Sequence, residues 1–394
     1  MVFKNTVLIL VCSLLFGLSA CNAQKPTLQK SIVVGANQTE AYLPLLKNKN
    51  IGIVANQTSV IFKNRGYTHL VDSLIQRNIQ IKKVFSPEHG FRGKQDAAVH
   101  VKDGFDTKTN LPIISLYGNN KKPTAKQLQG LDLVVFDIQD VGVRFYTYIS
   151  TLHYVLEACA ENNIPVLVLD RPNPNGHYID GPTLNPKYSS FVGKHPVPLV
   201  YGMTIGEYAK MINGEGWLKN KVKCNLTVQS LKNYTHQSQY HLPIRPSPNL
   251  PNDKAINLYP SLGFFEGTPV NAGRGTENQF QQYGSSKFGK TNFSYTPQAN
   301  FGSKYPKHQN KLCYGVKLKE TPRLRKVNIQ WVLDAYNRSA NKKAFFGKTF
   351  TIHAGDTILQ LQLQNGFTAK QIEASWQKEL IEFKIKRKNY LLYP

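Results

Sequence analysis

"LDLVVFDIQDVGVRFYTYISTLHYVLEACAENNIPVLVLDRPNPNG" (residues 131–176) decides the fold of this chain. The stretch opens with an apolar run, "LDLVVFDIQD" (131–140), and closes with another, "PVLVLDRPNPNG" (165–176). Between the two runs the spacing predicts a helix over Tyr148 to Asn162, because apolar residues recur every three or four positions and form one buried stripe. The stripe consists of Ile149, Leu152, Val155, Leu156 and Cys159. The stretch therefore predicts a strand, a helix and a second strand.

Three further apolar runs precede this unit. They are "IGIVANQT" (51–58), "IQIKKVFSPEHG" (79–90) and "PIISLYG" (112–118), with plausible helices between them. Strands and helices that alternate at this rhythm imply right-handed crossovers and a parallel sheet covered on both faces. The sequence thus predicts a doubly wound α/β domain.

Each predicted strand ends in polar residues. In doubly wound sheets ligands bind beyond the carboxyl ends of the strands, where the loops converge. Any single polar tail could be a cap or a turn, but five of them favour a site. The tails are Asn56, Gln57 and Thr58; Glu88 and His89; Tyr117; Asp137, Gln139 and Asp140; and Asp170, Arg171 and Asn173.

The remaining chain predicts a second domain. From about 177 to 250 the sequence is rich in loops, with one helix over Thr204 to Met211 and the proline-dense "HLPIRPSPNLP" (241–251). Since the mature chain exceeds what one core usually holds, we expect two domains, with a boundary near Pro251. A final helix is predicted over 368–384.

The N-terminus has the order of a secretory signal. Lys4 precedes an apolar run from Val7 to Phe16, so residues 1–20 are predicted to be a signal peptide. The ending Leu18-Ser19-Ala20-Cys21 resembles a bacterial lipobox, and residues 21–30 would then be a linker lipidated at Cys21. We expect an exported protein, held by its lipid to a membrane in the periplasm or cell envelope. The alternative is an ordinary signal peptide with a chance cysteine.

The cysteines and the net charge indicate which metals and macromolecules the protein could bind. Cys159, Cys224 and Cys313 are widely spaced and odd in number, which favours buried thiols over disulfides or a zinc site. The net charge of +25 suits nucleic acid, acidic lipid or an acidic polymer. Because an exported protein seldom meets nucleic acid, peptidoglycan is the expected partner. The alternative is that the scattered lysines are simply solvated.

Several cofactor and catalytic motifs are absent from the sequence. It contains no Gly-x-Gly-x-x-Gly after the first strand, no Gly-x-Ser-x-Gly elbow and no His-x-x-x-His spacing. We therefore expect chemistry without a cofactor or a metal. Carboxylates remain as the chemical candidates: Glu88, Asp137, Asp140, Asp170, Glu266 and Glu277.

Two carboxyl groups in different environments are what cleavage of a glycosidic bond requires. Glu88 suits the role of the acid, because it follows an apolar strand and lies between Phe85 and Phe91. The alternative for Glu88 is an ion pair with Arg92. Arg144, Tyr146 and Arg274 could bind a sugar that carries a carboxylate, since arginine forks match carboxylates and aromatic faces stack on rings. Each of these three could instead be structural.

Six ordered blocks resemble the NamZ family of exo-acting β-N-acetylmuramidases, formerly a domain of unknown function. They are "FSPEHGFRG", "DIQDVGVRFYTYISTL", "LDRPNPNG", "PSPNLP", "LYPSLGFFEGTPVNAGRGTENQF" and "RKNYLLYP". The resemblance implies a Rossmann-like catalytic domain over 31–250, and a smaller α+β C-terminal domain over 251–394 that completes a cleft. It also implies release of N-acetylmuramic acid from the non-reducing ends of peptidoglycan fragments, without metal or nucleotide.

The resemblance makes Glu88 the expected catalytic acid and leaves the second carboxylate open among Asp140, Glu266 and Glu277. The substrate-binding candidates are His89, Arg92, Asn56, Gln139, Arg144, Tyr146, Asp170, Arg171, Asn173, Arg274 and Glu277. The alternative function is a non-catalytic lipoprotein that binds cell-wall glycans. An esterase or amidase lacks an evident nucleophile.

Overall fold

The structure is a computed structural model that describes residues 30–93 and 103–394. The predicted signal peptide, Cys21 and nearly all of the predicted linker lie outside the described residues.

A seven-stranded sheet forms the centre of the N-terminal domain. Its strand order is β11-β8-β7-β1-β4-β6-β5, and every neighbouring pair is parallel except β5 with β6. The strands are β1 (Ile51–Ala55), β4 (Ile81–Ser86), β5 (Gly104–Phe105), β6 (Pro112–Ser115), β7 (Leu133–Asp137), β8 (Val166–Leu169) and β11 (Leu226–Gln229). All five predicted strands are present, and the predicted doubly wound sheet is confirmed.

The topology explains where the polar tails meet. From β1 the chain builds one side of the sheet through β4 and β6, then returns to build the other side through β7, β8 and β11. The direction of winding reverses between β1 and β7, which is the switch point where α/β sheets open a crevice. The tails after β4, β1 and β7 therefore converge at one edge.

Eleven α-helices lie within the described residues. They are α1 (Thr39–Leu46), α2 (Leu70–Gln76), α3 (Ala125–Leu128), α4 (Tyr148–Glu161), α5 (Ile205–Gly214), α6 (Asp253–Leu262), α7 (Gln330–Arg338), α8 (Phe350–Ala354), α9 (Ile358–Gln364), α10 (Ala369–Ser375) and α11 (Gln377–Arg387). The predicted helix over 148–162 is α4, and its apolar stripe is buried. The predicted helix near 204–211 is α5, which begins with a capping box between Thr204 and Glu207. The predicted final helix is instead two helices, with the buried Trp376 at the joint.

Shorter elements complete the chain. The C-terminal domain has a three-stranded antiparallel sheet of order β12-β14-β13, and two hairpin-like pairs join β2 to β3 and β9 to β10. These strands are β2 (Val60–Phe62), β3 (Tyr67–His69), β9 (Asp180–Thr183), β10 (Pro198–Val200), β12 (Gln282–Ser285), β13 (Ser294–Tyr295) and β14 (Cys313–Lys317). A 3-10 helix, Gly263–Gly267, follows α6 directly.

The two domains share one hydrophobic core. The ring of Phe145 meets the rings of Tyr259 and Phe264 edge-on, with centroids 5.0 and 6.5 Å apart. Gly263 approaches the same ring so closely that an added Cβ would lie 2.2 Å from Phe145 Cζ. Residues 33–394 accordingly form one compact unit. The boundary near Pro251 stays a prediction.

The end of the chain docks onto the N-terminal domain. The Tyr393 hydroxyl donates to Asp170 Oδ2 at 2.6 Å and accepts from the Leu231 N–H at 2.8 Å. His236 N donates to the Pro394 carbonyl at 2.9 Å. The segment "RKNYLLYP" therefore packs against the N-terminal domain next to Asp170.

The three cysteines Cys159, Cys224 and Cys313 are buried and free, as predicted.

In the described part of the chain, no helix has both the length and the apolar character to cross a membrane.

Candidate active site

A pocket of about 380 Å³ brings Glu88 together with residues that lie far away in the sequence. Its volume falls within the roughly 300–1,000 Å³ of small-ligand sites. Glu88 is the one lining residue from the sheet edge. The other lining residues come from the C-terminal domain: Glu266, Val270, Asn271, Ala272, Arg274, Gly302, Ser303, Lys304, Tyr305, Pro306 and Lys307.

Glu88 reaches the pocket because the chain turns sharply after β4. His89 and Gly90 have φ angles of 73° and 82°, and Gly90 N donates to the Pro87 carbonyl at 3.2 Å. A left-handed conformation is unusual for a residue with a side chain, and such backbone is found at functional sites. His89 itself is buried behind the turn.

Hydroxyl groups surround the Glu88 side of the pocket. Thr147 Oγ1 donates to Glu88 Oε2 at 3.2 Å, and the Tyr148 hydroxyl donates to the Glu88 carbonyl at 3.4 Å. Tyr117 lies within hydrogen-bonding reach of the Glu88 carboxyl, and burial together with that nearby charge raises the pKa of Tyr117. The Glu88 side chain therefore contacts hydroxyl groups, and the charge of Arg274 also acts on it across the pocket.

Glu266 forms an ion pair on the other side of the pocket. Arg274 Nε donates to Glu266 Oε1 at 2.8 Å, and both side chains are 27% exposed. Burial acts to raise the pKa of Glu266, but the positive charges of Arg274 and Lys307 outweigh burial and lower it below its usual value. Glu266 is therefore ionised at neutral pH.

Lys307 fixes the turn that carries Glu266. Its Nζ donates to the carbonyls of Phe265, Glu266 and Thr268 at 2.7, 3.2 and 2.6 Å. These carbonyls lie at the end of the 3-10 helix, where backbone acceptors lack helical partners. A single ammonium group thus both orders the turn and contributes positive charge beside Glu266.

Arg92 pairs with two aspartates. Its guanidinium donates to both carboxylate oxygens of Asp106 at 2.7 Å, and to Asp72 at 3.0 and 3.4 Å. The bond from Arg92, which outweighs burial, lowers the pKa of Asp106 to about 2. Among the described residues no ion pair joins Arg92 to Glu88, which was the alternative role for that acid.

Asp140 lies behind the pocket and does not line it. It is 3% exposed, and its Oδ2 accepts hydrogen bonds from Gly142 N and the Tyr201 hydroxyl. Burial raises the pKa of Asp140 to about 6, even though these bonds act to lower it. Tyr146 is also buried, and its hydroxyl donates to the Pro246 carbonyl at 2.7 Å.

Among the residues that the structure describes, Arg144 is the largest fully buried side chain, and it lies outside the pocket. Its Nη1 donates to the carbonyls of Pro182 and Val197 at 2.5 and 2.9 Å, and its Nη2 donates to those of His353 and Ala354 at 3.2 and 2.8 Å. Burial lowers the pKa of Arg144 to about 10. This guanidinium therefore joins segments of both domains.

The other predicted tails form a buried polar network below the pocket. Arg171 pairs with both oxygens of Asp137 at 2.6 and 2.9 Å, and Asn56 Oδ1 accepts from Thr58 N at 2.8 Å. Each predicted binding residue of this group is buried and satisfied largely by protein atoms: Asn56, Gln139, Asp170, Arg171 and Asn173. Glu277 is exposed and does not line the pocket.

The sequence analysis missed several residues on or beside the pocket. Thr147 bonds to Glu88, while Lys304, Tyr305 and Lys307 form one side of the pocket. A signal was present in "GSKYPK" (302–307), where cationic and aromatic residues alternate beside a glycine. In residues 30–93 and 103–394, no three His, Cys, Asp or Glu side chains group as metal ligands would.

Two carboxyl groups thus face one pocket from two domains. One is surrounded by hydroxyls, and the other is kept ionised by cations. This is the pairing that lets one group protonate a leaving oxygen while the other activates water or stabilises an oxocarbenium-like centre. The arrangement is suited to glycoside hydrolysis.

Comparisons with known proteins agree with this chemistry. Residues 51–254 match the N-terminal sequence model of the exo-β-N-acetylmuramidase NamZ, and residues 257–393 match the C-terminal one. The peptidoglycan β-N-acetylmuramidase NamZ of Bacillus subtilis strain 168 is 37% identical over 393 residues, covering 94% of this chain and 92% of that protein.

Two solved structures from Bacteroides fragilis NCTC 9343, both DUF1343 family proteins, have the same fold. One has a TM-score of 0.85 at 45% identity and the other 0.78 at 28% identity, and each comparison covers 92% of this chain and 99% of the other. The matched sequence models together span most of the chain, in order. This chain therefore belongs to the NamZ family of exo-β-N-acetylmuramidases.

Proposed function

We propose that this chain is an exo-acting glycoside hydrolase that releases N-acetylmuramic acid from the non-reducing ends of peptidoglycan fragments. The observation that carries the proposal is that Glu88 and Glu266, from different domains, line one pocket, where Glu88 contacts hydroxyl groups and Glu266 pairs with Arg274. The activity of the B. subtilis relative supports the same substrate class.

In this mechanism Glu88 protonates the oxygen of the leaving sugar. Glu266, kept ionised by Arg274 and Lys307, acts on the other side of the bond, either on water or on the developing positive charge of the sugar ring. Opposite roles for two carboxyls follow from their different neighbours.

The charge of the pocket wall suits the muramic acid itself. N-acetylmuramic acid carries a lactyl carboxylate, and the wall bears three cations, Arg274, Lys304 and Lys307, against the two carboxyl groups of Glu88 and Glu266. In a partly enclosed site these charges attract an anionic sugar more strongly than they would in open water. A neutral hexosamine without the lactyl group should bind less well.

The test is hydrolysis of the disaccharide of N-acetylmuramic acid linked β-1,4 to N-acetylglucosamine, whose leaving oxygen needs protonation, with the released sugar identified by mass spectrometry. Wild type should release N-acetylmuramic acid, and Glu88→Gln should lose about 10²- to 10⁴-fold in kcat, the usual contribution of general acid catalysis. Glu277→Gln is the matched control, because Glu277 is exposed and off the pocket wall.

The alternative function, a glycan-binding lipoprotein without turnover, makes a different prediction. Wild type would then bind muramic-acid-terminated fragments and release no sugar, and Glu88→Gln would bind equally well. Such a result would overturn the enzymatic proposal.

We further propose that the chain is exported and held in the cell envelope by a lipid on Cys21. The order Leu18-Ser19-Ala20-Cys21 after an apolar run supports this, as does a substrate located in the cell wall. Cys21→Ser should release the protein from the membrane fraction, and mass spectrometry should find a diacylglyceryl group on Cys21 of the wild type. An unmodified Cys21 in a membrane-free protein would contradict the anchor.

A further inference from the structure

We propose that Tyr305 forms a platform for the leaving group, the sugar ring on the far side of the cleaved bond. This inference rests on the proposed function and extends it from the terminal sugar to the next residue of the glycan. It assigns a specificity role to a side chain that lines the pocket but carries no acid, base or charge.

The first argument is the gradient of exposure along the pocket. Val270, Asn271 and Ala272 form a floor and are 1%, 1% and 3% exposed. Tyr305 lines the same pocket yet is 80% exposed, so it stands at the mouth. An exo-acting enzyme holds the terminal sugar at the closed end of its pocket. The rest of the glycan must then leave past the mouth, where Tyr305 lies.

The second argument is that the loop carrying Tyr305 is anchored on both sides. Before it, Asn300 and Ser303 exchange backbone hydrogen bonds at 3.0 and 3.1 Å, and Asn249 Nδ2 donates to the Gly302 carbonyl at 2.5 Å. After it, Lys307 is held by the carbonyls of the turn that carries Glu266. The ring is therefore displayed from a fixed backbone, and a ligand need not order the loop before it binds.

The third argument is chemical. A tyrosine ring offers a large, rigid contact surface at low cost in conformational entropy. One face of a pyranose ring consists of C–H groups and suits an aromatic face. Lys304 Nζ lies 5.7 Å from the Tyr305 ring centroid, which is within cation–π range and favours one orientation of the ring. The predicted occupant is the uncharged hexosamine ring that follows N-acetylmuramic acid.

The test compares two substrates that share the terminal sugar and differ in the leaving group. One is the disaccharide of N-acetylmuramic acid linked β-1,4 to N-acetylglucosamine, and the other is methyl β-N-acetylmuramide. Both leaving groups are alkoxyl oxygens that need protonation, but the methyl group has no ring to stack. The variants are Tyr305→Ala and Tyr305→Phe. Tyr67→Ala is the control, because Tyr67 is 58% exposed and does not line the pocket.

For Tyr305→Ala, kcat/KM on the disaccharide should fall about tenfold, the size of effect that marks an important contact residue. On the methyl glycoside it should stay within about twofold, the level of an uninvolved surface site. Tyr305→Phe should keep the wild-type ratio of the two substrates, since it keeps the ring, and Tyr67→Ala should change neither value.

An equal loss on both substrates, or no loss on either, would overturn the platform. The platform would also be overturned if Lys304→Ala selectively lost activity on the disaccharide and Tyr305→Ala did not. That result would mean that the charge of Lys304, and not the ring of Tyr305, recognises the leaving group. If wild type hydrolyses neither substrate, the proposed function itself fails, and the platform fails with it. The wild-type measurement therefore separates the two failures.

Discussion

Arg274 Nε lies 2.8 Å from Glu266 Oε1, and this ion pair forms part of the same pocket wall as Glu88. The two side chains are as exposed as those of many surface salt bridges, but both line the pocket. Its main effect is on the protonation of Glu266 rather than on folding.

Replacing Arg274 should shift the pH dependence of the enzyme. The charges of Arg274 and Lys307 outweigh burial and lower the pKa of Glu266, so Glu266 stays ionised until the pH falls through that lowered value. Arg274→Gln removes one charge and raises the pKa, so activity should begin to fall at a higher pH on the acidic limb. The measurement is kcat/KM against pH, which reports groups of the free enzyme. Arg338→Gln, which breaks a helix-surface pair with Asp334, is the control. An unchanged acidic limb would show that Glu266 need not be ionised.

Replacing Asp140 should affect stability more than catalysis. Burial raises the pKa of Asp140 from 3.8 to about 6, so the folded state binds a proton more tightly than the unfolded state. The wild type therefore loses stability from this group as the pH rises from about 4 to 6, by up to about 3 kcal/mol. Asp140→Asn lacks this titration and should gain in stability relative to wild type over that range, as measured by urea unfolding at several pH values. A loss of kcat as large as that of Glu88→Gln would instead make Asp140 catalytic.

Replacing Arg144 should destabilise the protein and leave substrate affinity unchanged. Arg144→Met removes the donor to the carbonyls of Pro182, Val197, His353 and Ala354, of which Val197 still accepts from the Leu184 N–H. The expected cost is about 3 kcal/mol or more in the free energy of unfolding, measured with denaturant. At temperatures where the variant is folded, KM should equal that of the wild type. A raised KM with unchanged stability would return Arg144 to the substrate-binding role predicted from the sequence.

Replacing Tyr393 should weaken the attachment of the chain end. Tyr393→Phe removes the donor to Asp170 and the acceptor of the buried Leu231 N–H, at a cost of about 1–3 kcal/mol in the free energy of unfolding. Tyr390→Phe removes one bond, to the partly exposed Glu215, and should cost less. Thermal unfolding of the two variants side by side makes the comparison. Equal losses would mean that the seal at Asp170 contributes no special stability.

The sequence predicted the sheet well because strands leave a local signature. Apolar runs such as 133–137 and 166–169 are buried on both faces, so their composition alone marks them. Glu88 could be predicted for the same reason, since it follows a buried strand directly. Glu266 and Arg274 could be named from their residue types, but their ion pair joins two turns whose contact depends on tertiary packing.

Burial of charged residues was the main feature that the sequence did not reveal. The sequence gives no sign that Arg144 and Arg274 differ in environment, yet Arg144 is enclosed by carbonyls and Arg274 lines the pocket. Asp137 ends β7, Asp140 follows three residues later, and Asp170 comes directly after β8. All three carboxyls bond to donors from remote segments, which are Arg171, Tyr201 and Tyr393. These donors lie more than thirty residues away along the chain, beyond the reach of any local pattern.

Gly263, pressed against the ring of Phe145, begins the 3-10 helix that bears Glu266. Phe145 follows β7, and in the same sheet only β1 separates β7 from β4, the strand that leads to Glu88. The distance between the two carboxyls therefore depends on how the Phe145 ring packs against Gly263, as well as on the hydrogen bonds from Lys307 to the turn that carries Glu266. In glycosidases that distance selects retention at about 5 Å or inversion at about 6.5–9.5 Å. Packing between Gly263 and Phe145 therefore contributes to whether the anomeric configuration is retained or inverted.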